Sequence, residues 1–138
     1  MISDRINHVA MAVPDIEAFL DTNRVLYGRF ERGPLIENVE QRVREVFLRD
    51  GDTVVELLEP LGEQSPLDGF LKKHPAGGLL HIALDVEDLD AALAEVEAAG
   101  GKTVVAPVPD LAFGGRRIAF VFLGGQITEL IEKAPPPA

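Results

Sequence analysis

Two histidines and two glutamates stand out by where they fall. His8 follows Ile6-Asn7 and precedes Val9, and His81 lies between Leu80 and Ile82. Glu56 lies between Val55 and Leu57, and Glu129 between Thr128 and Leu130. Each interrupts a segment of strong β-formers. A buried, ionised carboxylate costs several kcal/mol unless it is paired or ligated. One such residue is explained by a pleat that turns it to solvent. Four of them in two matched pairs fit a divalent cation better. Two imidazoles and two carboxylates make a borderline-hard N/O donor set, suited to Co, Mn, Fe, Ni or Zn. A six-coordinate ion held this way keeps two positions for water or substrate. The plainer alternative is a pair of hydrogen-bonded core histidines and two water-facing glutamates.

The pairs match because the chain repeats itself. Ile6–Gly28 aligns with Leu79–Gly101 at a shift of 73 residues, and 7 of the 23 pairs are identical. These include His8/His81, Ala10/Ala83, Asp15/Asp88 and Gly28/Gly101. The same shift carries Arg44 onto Arg117, Phe47 onto Phe120 and Gly51 onto Gly124 without a gap. It also sets Val54–Glu59 over Ile127–Glu132. The middles of the halves match poorly. Glu59 and Glu132 repeat too, and read as solvated residues at strand ends. The third histidine, His74, has no repeat partner and reads as surface.

Both halves call for the same elements. Asn7–Val13 reads as a strand, and Asp15 caps a helix over Ile16–Leu26 that Gly28 stops. An interrupted strand falls near Phe30–Asn38. Strands at Arg42–Arg49 and Thr53–Leu58 are joined by a Gly51-Asp52 turn. In the second half, the strand Leu79–Val86 leads to Asp88 and a helix over Leu89–Ala99. Strands follow at Lys102–Ala106, Arg116–Phe122 and Gln126–Glu132. The expected class is α+β, with two tandem βαβββ modules in one domain spanning 1–138. Module 1 covers about 4–61, the linker 62–78 carries a short helix at Pro66–Lys73, and module 2 covers about 79–133. Pro135–Pro137 ends the fold.

Composition narrows the partners. The 138 residues include no cysteine, which removes disulfides, thiolate metal sites and a thiol nucleophile. With 13 basic and 23 acidic residues the net charge is −10, unfavourable for nucleic acid and for anionic lipid. No apolar run approaches the roughly 20 residues of a membrane span. Met1–Arg5 does not read as a secretory leader. A cytoplasmic protein is expected.

With those residues in place, the chain resembles the vicinal oxygen chelate (glyoxalase/bleomycin resistance/dioxygenase) superfamily. Within it the chain is most similar to the methylmalonyl-CoA epimerases. Ile6-Asn7-His8-Val9-Ala10 and Val13-Pro14-Asp15 carry the wider resemblance. Glu56–Leu61, Ser65-Pro66, Phe70-Leu71, Gly78-Leu79 and His81-Ile82-Ala83 carry the narrower one, as do Gly114–Phe120 and Ile127–Leu130. Two features depart from the epimerase pattern. Leu80 stands where the first of two consecutive histidines is usual. Val121–Gly125 is a tight apolar turn where a polar loop is usual.

The resemblance implies a glyoxalase-like fold, with a curved, mostly antiparallel sheet around the metal site. It implies one divalent ion per chain (Co, Mn, Ni, Zn or Fe) on His8, Glu56, His81 and Glu129. The implied reaction interconverts the C2 stereoisomers of methylmalonyl-CoA, or a related acyl-CoA, through a metal-stabilised enolate. Glu45 matches a proposed acid/base, and Glu129 is the candidate for the second proton-transfer role. Glu45 shares a strand face with Val43 and Phe47, and a solvent-facing carboxylate fits its context equally well. Arg116 and Arg117, or Lys72-Lys73, are the cations available for the CoA anion. A homodimer is also implied. Two other readings use the same frame: a glyoxalase-type isomerase or lyase acting on another small chelating substrate, and a non-catalytic small-molecule (drug) binding protein.

Overall fold

The computed structural model describes residues 1–133. The Pro135–Pro137 tail lies outside the described residues. The chain divides into two compact units: Val9–Leu80, and Met1–His8 together with the chain from His81 onward.

In the Val9–Leu80 unit, the end of strand β1 (Arg5–Ala12) pairs in parallel with β5 (Thr53–Pro60). β4 (Val43–Asp50) runs antiparallel to β5. The interrupted strand is two pieces, β2 (Glu31–Arg32) and β3 (Ile36–Asn38), both paired to β4. Gly33-Pro34 falls between them, where proline withdraws a donor from the ladder.

The expected helix over Ile16–Leu26 is shorter. It is α1 (Ile16–Thr22), then a break, then α2 (Arg24–Tyr27). Asp15 caps α1 as expected, accepting from the Ala18 amide at 2.8 Å. The break has a local cause. Asn23 is the C-cap, and both its backbone N–H and its side-chain amide donate to the Phe19 carbonyl at 2.9 Å, closing the last turn. The linker helix α3 (Asp68–Lys73) begins two residues later than Pro66.

In the other unit, β6 (Gly78–Val86) pairs in parallel with β9 (Gln126–Glu132). β8 (Arg117–Leu123) runs antiparallel between β9 and β7 (Lys102–Pro109). β7 extends past the expected Ala106. It pairs only with β8 among the described residues, so Pro107 and Pro109 sit on an edge where a missing donor is tolerated. Its register shifts twice, between Thr103/Val105 and Val105/Val108. A 3₁₀ turn at Leu111–Phe113 follows, capped by Asp110. The β8–β9 turn uses Gly124 and Gly125 at φ 62° and 78°, left-handed values that suit a two-residue hairpin loop. Helix α4 (Leu89–Ala98) has Asp88 as its N-cap, accepting from Ala91.

The faces of the strands explain the core. α1 covers the face carrying Val46, Leu48 and Leu57, with Val13 and Ile16 fully buried. α4 likewise covers Val86, Ala119, Val121 and Leu130. Side chains alternate along a strand. The opposite faces therefore receive Ala10, Ala12, Val43 and Leu58 in one unit, and Ala83, Ile118 and Ile131 in the other. By the same alternation, His8, Glu45, Glu56, His81 and Glu129 belong to these helix-free faces. Mostly antiparallel pairing and the βαβββ order agree with the sequence reading.

Candidate metal centre

Strand register sets the two glutamates. Glu56 pairs laterally with Ala10 on one side and Phe47 on the other. Glu129 pairs with Ala83 and Phe120, which are the same positions one repeat later. His8 is 1% exposed, His81 4%, Glu56 3% and Glu129 3%. Water-facing glutamates are therefore excluded.

His81 Nε2 lies 3.2 Å from Glu129 Oε1, and His8 Nε2 lies 3.3 Å from the same oxygen. The two imidazoles meet edge to face, with centroids 5.7 Å apart. His8, Glu56, His81 and Glu129 form a group that could hold a metal ion. Two carboxylates and two imidazoles are costly to bury without a counter-charge. The same set is a good nest for a divalent cation, whose charge offsets the two carboxylates. These residues fit such an ion.

Aromatic rings hold both histidines. Phe113 stacks on His8 at 5.6 Å with ring planes 12° apart. Phe120 meets His81 edge-on at 5.1 Å. Asn7 Oδ1 is 2.8 Å from His8 Nδ1, and Asn7 Nδ2 donates to Asp85 Oδ1 at 3.0 Å. Asn7, Asp85 and Phe113 were not singled out from the sequence. Asp85 left one readable trace: it is a charge in an apolar strand, on the same alternating face as His81.

Glu45 is 4% exposed, so its carboxylate is buried rather than turned to solvent. It shares the helix-free face of its strand with Phe47, the lateral neighbour of Glu56. Glu59 and Glu132 are not simply solvated. Glu59 accepts from the Ile16 amide at 3.0 Å and from Arg44 at 3.3 Å. Glu132 takes Arg117 at 2.8 Å.

Arg117 also bonds Asp90 at 3.1 Å, and its contacts with Asp90 and Glu132 raise its already high pKa. Its charge is already matched by two carboxylates. Arg116 donates to the Phe113 and Lys133 carbonyls and lies 5.9 Å over the Phe113 ring. It also lines a cavity of about 520 Å³ with Asp4, Arg5, Asp85 and Lys133. Lys133 bonds Asp4 and Glu87, which raise its pKa. Lys72 and Lys73 lie in the last turn of α3. His74 is exposed and packs on Phe70 at 4.6 Å.

A family model for the glyoxalase/bleomycin resistance protein/dioxygenase superfamily matches residues 7–120. The chain belongs to this superfamily. Within it, the chain is 40% identical over 117 residues to an ethylmalonyl-CoA/methylmalonyl-CoA epimerase of Cereibacter sphaeroides, covering 85% of this chain and 87% of that protein. The crystal structure of methylmalonyl-CoA epimerase from Mycobacterium tuberculosis superposes with a TM-score of 0.81 at 28% identity, over 97% of this chain and 91% of that one. A methylmalonyl-CoA epimerase solved in complex with methylmalonyl-CoA and NH4+ superposes at 0.79 with 31% identity, over 98% of each chain. The superfamily fold accounts for the βαβββ repeat read from the sequence. No helix among the described residues is long and apolar enough to cross a membrane.

Proposed function

We infer that this protein is a metal-dependent epimerase that interconverts the C2 stereoisomers of methylmalonyl-CoA or a closely related acyl-CoA. One observation carries the reading: the buried group of His8, Glu56, His81 and Glu129, in a chain similar over nearly its whole length to epimerases of that substrate class. Those four residues are the proposed ligands. A divalent ion on them supplies Lewis-acid stabilisation of negative charge developing on the thioester oxygen.

Glu45 is the proposed base. Its carboxylate takes the C2 proton, and the electron pair of the broken C–H bond moves into the thioester carbonyl. The Glu45 carboxylate is held out of bulk water on the helix-free face of its strand. A second acid returns a proton to C2 from the opposite face, and Glu129 could take that role only through a protonated oxygen that the metal leaves free. Arg116 is the better placed of the adjacent arginines to meet a substrate anion, since Arg117 already bonds Asp90 and Glu132.

Solvent deuterium incorporation at C2 of methylmalonyl-CoA tests the reading. Exchange is expected with the metal-loaded protein. It should stop after EDTA and return when a divalent ion is restored. No exchange by the metal-loaded protein sinks it.

A further inference from the structure

The repeat places a histidine in each module but does not treat the two alike. Position 7, before His8, is Asn; its equivalent before His81 is Leu80, which offers no side-chain acceptor. We propose that Asn7, itself oriented by Asp85, is a positioning residue that sets the tautomer of His8 and thereby strengthens divalent-cation binding. The inference rests on the metal reading above.

The argument runs through donors and acceptors. An ionised carboxylate only accepts hydrogen bonds. Asp85 Oδ1 lies 3.0 Å from the Asn7 amide nitrogen, so Asn7 Nδ2 donates there and its orientation follows. Asn7 Oδ1 is then the atom 2.8 Å from His8 Nδ1, and it too only accepts. Asn7 Oδ1, the nearer acceptor, favours the tautomer of neutral His8 with its proton on Nδ1, against the pull of Glu129 Oε1 at 3.3 Å from Nε2. That tautomer leaves a lone pair on Nε2, which is the form that binds a metal.

Two further contacts stiffen the arrangement. Asp85 is 5% exposed, and Arg5 Nε stands 3.6 Å from its other oxygen. Phe113 lies nearly parallel to the His8 ring and limits its rotation. Neither Asn7 nor Asp85 has a matching polar residue one repeat away. Leu80 and Ala12 occupy those places, so duplication alone does not explain the network.

The test needs metal-binding and spectroscopic readouts besides activity. Ring ¹⁵N shifts of the metal-free wild type should show His8 protonated on Nδ1 at neutral pH. A proton on Nε2 overturns the proposal, and this measurement needs no variant. Competition with a chelator should show Co²⁺ or Mn²⁺ affinity falling roughly 10–100-fold in Asn7→Ala, with the circular-dichroism spectrum retained. Asn7→Asp alone should also weaken binding, because it faces Asp85 with a second carboxylate. The double substitution Asn7→Asp/Asp85→Asn should restore most of the affinity. There the new carboxylate at position 7 accepts from both His8 and the new amide at position 85. Wild-type affinity in Asn7→Ala, or no rescue by the double substitution, refutes the inference while leaving the metal reading intact. A wild type that binds no divalent ion overturns both.

Discussion

The two βαβββ modules share a frame but not an inventory. At each equivalent place the frame is reproduced closely. β1 and β6, α1 and α4, and β5 and β9 start in the register that the 73-residue shift demands. Arg44 bonds Glu59, and Arg117 bonds Glu132 one repeat later. Glu56 and Glu129 each lie beside an alanine and a phenylalanine.

The differences are concentrated on the helix-free faces. Glu45 in the first module becomes the fully buried Ile118 in the second, and each is the lateral partner of an apolar residue, Leu58 or Ile131. Phe113, which stacks on His8, stands where the first module has Glu40. Duplication accounts for the two matched histidine–glutamate pairs, and divergence for a buried carboxylate, Glu45, that the second module lacks.

The comparison can be broken first at the donors. If both modules contribute equally, Glu56→Ala and Glu129→Ala should each abolish tightly held metal and deuterium exchange. Retained stoichiometric metal in either variant, measured by elemental analysis after gel filtration, would show unequal modules.

The next largest effect separates base from ligand. Glu45→Gln should slow exchange by about 10²–10⁴-fold while leaving metal content unchanged. Ile118→Val, at the equivalent position, should leave exchange intact and cost only about 0.5–1.5 kcal/mol of stability. Equal rate losses in the two variants would remove the asymmetry.

Core equivalence is a stability question. Leu57 and Leu130 are repeat partners at 0% and 1% exposure under α1 and α4. Truncating either to Ala should cost roughly 2–5 kcal/mol by urea unfolding. A marked difference would show that one helix collapses onto the cavity better than the other.

The smallest effect belongs to the ion pairs. Arg44→Ala and Arg117→Ala should each cost about 0.2–1 kcal/mol, falling with added salt. The arginine side chains are 35% and 30% exposed, so solvent screens each pair in part. A salt-independent loss would point to packing of the arginine stems instead.

Much of this architecture was legible because it is periodic. Identities at one fixed shift exposed the repeat, and Asp15 and Asp88 marked both helix starts. The break in the first helix was hidden because Asn23 closes α1 as a C-cap while the helical periodicity of the sequence runs on past it. The extra length of β7 was hidden because Pro107 and Pro109 argue against a strand unless its edge position is known. Glu59 and Glu132 looked like solvated strand ends, since their partners lie on neighbouring strands or at a helix start.

The sequence by itself determined the repeat, the strand and helix order, and the identity of four matched donors, because each follows from residue type and spacing along the chain. Burial, partners and direction were decided only in three dimensions. Whether Glu45 meets water or a packed face depends on what covers its strand. Whether Asn7 fixes His8 depends on Asp85, 78 residues away in the chain and 3.0 Å away in space. A hydrogen bond of that kind has no local signature, because it forms only when folding brings β1 and β6 residues together.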